Sequence, residues 1–204
     1  MIFLHRQNTL NSQTTNIELD VRSSKDGIVL NHDPLDHKYK YTLLKDKLFE
    51  FEERKTIIVN IKESGIEEEI IEIFKKFDLS YLFLDSQIPD IIKLARKFPE
   101  EKSNIIIRVS DVECISNNLL ELVNPKYLWV DYTRFSVFNQ REYFNFLNKI
   151  KKKFKQYELI LVSPELYNID FKVFAYEISE NLNKETNIHV CTKFPEIYKD
   201  KINV

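Results

Sequence analysis

Eight short runs rich in Ile, Val, Leu and Phe recur along this chain, separated by longer stretches with apolar residues at helical spacing. The short runs are Ile2–His5, Asn16–Arg22, Thr56–Ile61, Tyr81–Asp85, Asn104–Val109, Tyr127–Asp131, Glu158–Ser163 and Ile188–Thr192. Near-continuous apolar runs of this length are what parallel strands covered on both sides look like. The intervening stretches, Thr42–Glu53, Ile66–Phe77, Ile88–Phe98, Val112–Val123, Asn139–Phe154 and Phe171–Leu182, read as amphipathic helices. A chain that alternates strand and helix from end to end has few ways to bury its strands.

Strands each followed by a helix form a parallel sheet, and eight of matching length favour closure over an open doubly wound sheet. The expected fold is α/β: a compact (β/α)8 TIM barrel, with residues 1–204 as a single domain. Such barrels usually take about 250 residues. This one is trimmed, and the economy shows where only the segment from Arg6 to Thr15 separates the first two strands. At 43% apolar and 13% aromatic, the chain has ample material for a core of this kind.

Chemistry in such barrels gathers at the carboxyl ends of the strands. Here those ends carry His5-Arg6, Glu18 with Asp20, Asn60 with Lys62, Asp85, Arg108, Asp131, Ser163 with Glu165, and Thr192-Lys193. Strand residues alternate faces, so Glu18 and Asp20 point one way while Ile17, Leu19 and Val21 point the other. Two carboxylates on one face repel unless a cation or a proton sits between them. His5 and His32 supply groups able to exchange protons near neutral pH. Together these are the parts of a site that cleaves phosphodiesters.

Other features count less. Trp129, taken as one residue off the inward face set by Asp131, is expected to pack against the helices. Tyr39 and Tyr41 follow His32 and are candidates for a wall of the site. His37 and His189 are expected on the surface or in packing, and the basic run Lys149–Lys153 on a solvated helix face. Glu165 either binds substrate hydroxyls or caps the next helix, and Arg108 either binds substrate or pairs with Asp85 or Asp131.

A net charge of −2 exerts no general pull on nucleic acid or anionic membranes. With two glycines in the chain, a glycine-rich phosphate cradle is excluded. Cys114 and Cys191 are too few and too distant for a disulfide framework or a metal motif, and read as buried free thiols in a reducing compartment. No apolar run approaches the ~18 residues of a membrane span, and no signal-like start is seen, so the cytoplasm is the expected location.

His5-Arg6, Asn8-Thr9, the Ile17–Arg22 run with Glu18 and Asp20, Asp26-Gly27 and His32-Asp33 follow, in order, a known opening signature. In it the chain resembles the glycerophosphodiester phosphodiesterases of the PI-PLC-like superfamily, and is similar to a short bacterial branch of it. Asn60-Ile61-Lys62, Phe83–Pro89, Ser163–Leu166 and Cys191-Thr192 extend the likeness along most of the chain.

The resemblance implies a hydrolase of small glycerol- or sugar-linked phosphodiesters, with His5, His32, Arg6 and Lys62 catalytic and Arg108, Asp85, Asp131 and Glu165 around the substrate. It implies Mg²⁺ or Ca²⁺ at Glu18, Asp20 and Asn60. Asn60 stands where the family usually has a third carboxylate. The change implies weaker metal binding, or a metal replaced by fixed positive charge, as in the bacterial phosphatidylinositol-specific phospholipases. A non-hydrolytic phosphate- or glycan-binding barrel is the alternative function, and a metal-dependent lyase of sphingolipid head groups a third. No greasy surface loop points to a lipid substrate.

Overall fold

The computed structural model describes residues 1–9, 16–51, 55–77, 79–133, 140–182 and 187–202. Parts of three expected elements lie outside these residues: the first connection from residue 10 to 15, positions 52–53 of the first helix and position 139 of the fifth.

The strands are β1 (Ile2–Leu4), β2 (Asn16–Ser24), β3 (Gly27–Leu30), β4 (Thr56–Ile61), β5 (Ser80–Leu84), β6 (Ile106–Val109), β7 (Tyr127–Val130), β8 (Glu158–Val162) and β9 (Ile188–Thr192). The helices are α1 (Leu44–Leu48), α2 (Glu67–Phe74), α3 (Ile88–Lys97), α4 (Asn117–Val123), α5 (Gln140–Lys153) and α6 (Lys172–Asn181). All strands but β3 run parallel in the order β5-β4-β2-β1-β9-β8-β7-β6. A single bridge between Phe83 and Ile105 links the two ends of that order, leaving a nearly closed eight-stranded barrel.

The strand antiparallel to β2 is a strand the sequence pattern did not announce. Ser24 pairs with Gly27 across the turn Lys25-Asp26, so the Asp26-Gly27 of the motif ends a hairpin rather than lying in a loop. Gly27 adopts φ +114°, a conformation side chains resist. Asp-Gly before Ile28-Val29-Leu30 is a recognised hairpin signal.

Alternation sorts the side chains into two cores. Ile17, Leu19, Val21, Ile57, Val59 and Ile61 face the helices, in one cluster with Ile70, Ile71 and Phe74 of α2. Phe3, Ile58, Leu82, Ile106, Ile160 and Cys191 fill the barrel interior. Each fully buried aliphatic or aromatic side chain contributes roughly 1.5–3 kcal/mol over its exposed state. Trp129 belongs to the interior cluster, which corrects the sequence expectation. It stands two residues before Asp131, and two residues on a strand share a face.

Candidate active site

At the carboxyl end of β1 the chain turns through Arg6, whose φ of +51° lies in the left-handed region. Such backbone strain in a non-glycine residue persists where surroundings impose it. Here the Arg6 amide donates to Glu18 Oε2 at 2.7 Å, and its guanidinium Nε lies 3.3 Å from Asp20 Oδ2. Lys62, just past β4, places Nζ 3.2 Å from Asp20 Oδ1. Asn8 donates from Nδ2 to Asp20 Oδ2 at 2.9 Å and accepts the Asp20 amide at 2.8 Å. Both carboxylates are buried at 1% exposure, on the inward face the alternation predicted.

Asn60 donates from Nδ2 to Glu18 Oε1 at 3.0 Å, while its own Oδ1 is buried without a hydrogen-bond partner. Burial, then the charge of Asp20, pushes the Glu18 carboxyl up to about 7. Burial, then the charge of Arg6, pushes His5 down to about 4. His5 is therefore a neutral imidazole at pH 7, with Nε2 3.7 Å from Glu18 Oε2, a near approach rather than a hydrogen bond.

His32 follows β3, with Nδ1 2.9 Å from Asp33 Oδ1. Arg22, the next inward position of β2 after Asp20, clasps the His32 carbonyl from Nε at 3.2 Å and Nη2 at 2.9 Å. It also reaches the Lys62 carbonyl at 3.4 Å and Glu63 at 3.2 Å. The Asn31 amide donates to the Asp20 carbonyl at 3.1 Å, and the hydrogen bond with His32, helped to a lesser degree by the charge of Arg6, holds the Asp33 carboxyl below its ordinary range. The structure thus gathers His5, Arg6, Glu18, Asp20, Asn60 and Lys62, with the His32 loop fastened beside them. Sequence reasoning passed over Arg22 and Asn8 as functional groups. Only the parity of Arg22 with Glu18 and Asp20, and the place of Asn8 in the motif, marked them.

The other predicted residues form two further groups. Asp85, itself in the left-handed region at φ +62°, receives Arg108 through Nε at 2.9 Å and Nη2 at 2.7 Å. Arg108 Nη1 bonds Asp131, and the Arg108 Cζ lies 5.9 Å from the Trp129 ring centroid. Both acids anticipated as Arg108 partners are thus engaged at once. Glu165 has no exposed surface. It accepts from Ser163 Oγ, from Thr192 Oγ1 at 2.5 Å and from the Lys193 amide at 3.0 Å. That geometry makes it a brace between the ends of β8 and β9, while the N-cap of the next α-helix is Phe171.

Tyr39, Tyr41 and His37 line a cavity of about 620 Å³ with Lys25 and Asp26 of the hairpin, beside the histidine group rather than in it. His189 is buried, pushed down to about 4 first by burial, and sits 3.0 Å from Glu158 Oε2 near the opposite end of β9.

Among the described residues, no group of three or more His, Cys, Asp and Glu side chains is gathered to hold a metal ion. The donor set that a hard divalent cation would meet is two carboxylates and the amide oxygen of Asn60, and in kind it fits. The unpartnered Asn60 Oδ1 and the raised Glu18 carboxyl would each be relieved by a nearby cation. Arg6 and Lys62 already offset the charge on Asp20.

Protein-family models and curated protein sequences give no match to this chain. No helix among the described residues is long and apolar enough to cross a membrane. Among solved structures, the chain is similar to a phosphodiesterase of Oleispira antarctica in complex with its product, sn-glycerol-3-phosphate. The TM-score is 0.63 at 16% sequence identity, over 98% of this chain and 95% of the other, so the chain has the fold of that phosphodiesterase, a single-domain TIM barrel.

Proposed function

We propose that this barrel is a phosphodiesterase acting on a small glycerol- or sugar-linked phosphodiester. The observation that carries the reading is the convergence of a neutral, half-buried His5 with Arg6 and Lys62 at one barrel mouth. The shared fold with a glycerol-3-phosphate-releasing enzyme supports the substrate class.

In the proposed route, Arg6 and Lys62 bind the phosphoryl oxygens, the first as a forked donor and the second as a compact charge. A hydroxyl of the substrate attacks phosphorus and passes its proton to His5, which is unprotonated at pH 7. His32, oriented by Asp33, protonates the leaving oxygen. The P–O bond to the leaving group breaks as the new P–O bond closes a cyclic phosphate, which water opens by the reverse proton transfers. Glu18, Asp20 and Asn60 Oδ1 would hold Mg²⁺ or Ca²⁺. Such an ion, when bound, supplies added stabilisation of negative charge on the phosphoryl oxygens. Asn8 and Arg22 act as positioning residues, fixing Asp20 and the His32 loop.

Initial rates on glycerophosphodiesters test the assignment. His5→Ala and His32→Ala are each expected to lose about 10²–10⁴-fold in kcat. Unchanged rates in either variant remove that histidine from the chemistry. One observation favours a second reading, a non-hydrolytic phosphate- or glycan-binding barrel. Asn60 ties its amide to Glu18 where a third carboxylate is expected. Binding of phosphodiesters without turnover would select it.

A further inference from the structure

The weakest seam of the barrel opens into a broad apolar cleft. Among the described residues, the backbones of β5 and β6 are paired only through the bridge between Phe83 and Ile105, the residue just before β6. At their carboxyl ends the strands are joined by the side-chain pair of Arg108 and Asp85. Between them, under α3 and α4, lies a cavity of about 940 Å³, within the usual size of small-molecule sites. Its body is apolar, lined by Ile88, Ile91, Ile107, Ile115, Leu119 and Leu122. Ile106 brings the barrel interior into the lining, and Asp85 and Arg108 close the end that faces the mouth. Glu113 stands exposed at the rim. Ile88 and Val112, at the loops after β5 and β6, are 57% and 63% exposed and carry the apolar surface outward.

We propose that this seam cleft binds a hydrocarbon substituent of the phosphodiester. This rests on the phosphodiesterase reading for the identity of the head group alone. The cleft joins the mouth through Arg108, so one molecule can place its phosphate by Arg6 and Lys62 and lay an alkyl arm between α3 and α4. Asp85 and Arg108 satisfy each other, which leaves the apolar walls as the main source of affinity. The substrate is then amphiphilic, which amends the expectation drawn from the lack of a greasy surface loop.

Cys114 provides a direct readout, since it lines the cleft and is exposed, contrary to the expectation that both thiols are buried, while Cys191 is buried with its thiol pushed up by that burial. The experiment follows the rate of Cys114 alkylation by iodoacetamide in the presence of hexyl, octyl or decyl phosphate below their micellar concentrations. Inorganic phosphate is the control, and turnover of glycerol diesters is measured alongside. The half-protecting concentration is expected to fall roughly four-fold per added methylene. Ser116→Trp, at an exposed lining position, is expected to erase that dependence. Protection that ignores chain length, or none at all, overturns the cleft assignment whether or not diesters turn over. Chain-dependent protection without turnover keeps the cleft and overturns the phosphodiesterase reading.

Discussion

Asn60 and Glu18 share a buried hydrogen bond, so changing either tests how the site balances its charge. Asn60→Glu restores a third carboxylate and removes the amide that donates to Glu18. Without divalent cation at pH 8, the variant is expected to lose about 2 kcal/mol or more of stability, from like-charge repulsion and the lost bond. Mg²⁺ is expected to restore the loss, since a ligand that binds only the folded state stabilises it. Thermal melts with and without Mg²⁺ measure this, and melts that coincide would mean that no cation binds there.

His5 gives a second test at this scale. Its folded pKa of about 4 lies below the ordinary 6.5, so between those values the unfolded chain holds more protons. Stability is therefore intact above pH 6.5 and is lost as pH falls toward 4, by on the order of 3 kcal/mol. His5→Asn is expected to flatten that portion of the profile in urea titrations at pH 4.5 and 7.5, leaving the share from His189, displaced in the same direction. A variant with the wild-type profile would contradict a neutral, half-buried His5. The sequence made Glu18, Asp20 and His5 legible because period-two alternation decides which way they point. Arg22 and Asn8 escaped because their roles rest on contacts with the His32 carbonyl and Asp20, which no local pattern encodes. Trp129 was misassigned by one step of the same alternation.

At the scale of elements, the strands were readable because each is a short aliphatic run with its own boundaries. The β2–β3 hairpin was missed because its Asp-Gly signal had already been absorbed into a chemical motif. The seam between β5 and β6 was not readable at all, since closure depends on the relative tilt of strands brought together by the whole sheet. Where β4 and β5 pair from Thr56 with Ser80 through Asn60 with Leu84, β5 and β6 share the single bridge. Amide exchange is expected to be faster along the facing edges of β5 and β6 than in β2 and β4, because fewer interstrand bonds must open. Mass spectrometry of deuterium uptake reads this directly, and equal protection around the barrel would mean a closed seam in solution.

At the scale of the molecule, the barrel sets two unlike surfaces around one mouth. On the β1–β2–β4 side, Arg6, Lys62 and His5 meet two buried carboxylates. On the β5–β7 side, Arg108 is held between Asp85 and Asp131. In the proposed reading, a phosphodiester lying across the mouth places its phosphorus beside the first group and a substituent toward the second. Composition limited the partners, and the motif order located the first group, but the second could be recognised as one unit only once three strands were side by side. The most direct test is phosphorus NMR of glycerol phosphodiesters incubated with the purified protein, beside the His5→Ala/His32→Ala double variant. The account predicts a cyclic phosphate signal that grows as the diester signal falls, then gives way to monoester, with no change in the double variant. An unaltered diester spectrum from well-folded wild-type protein would contradict it.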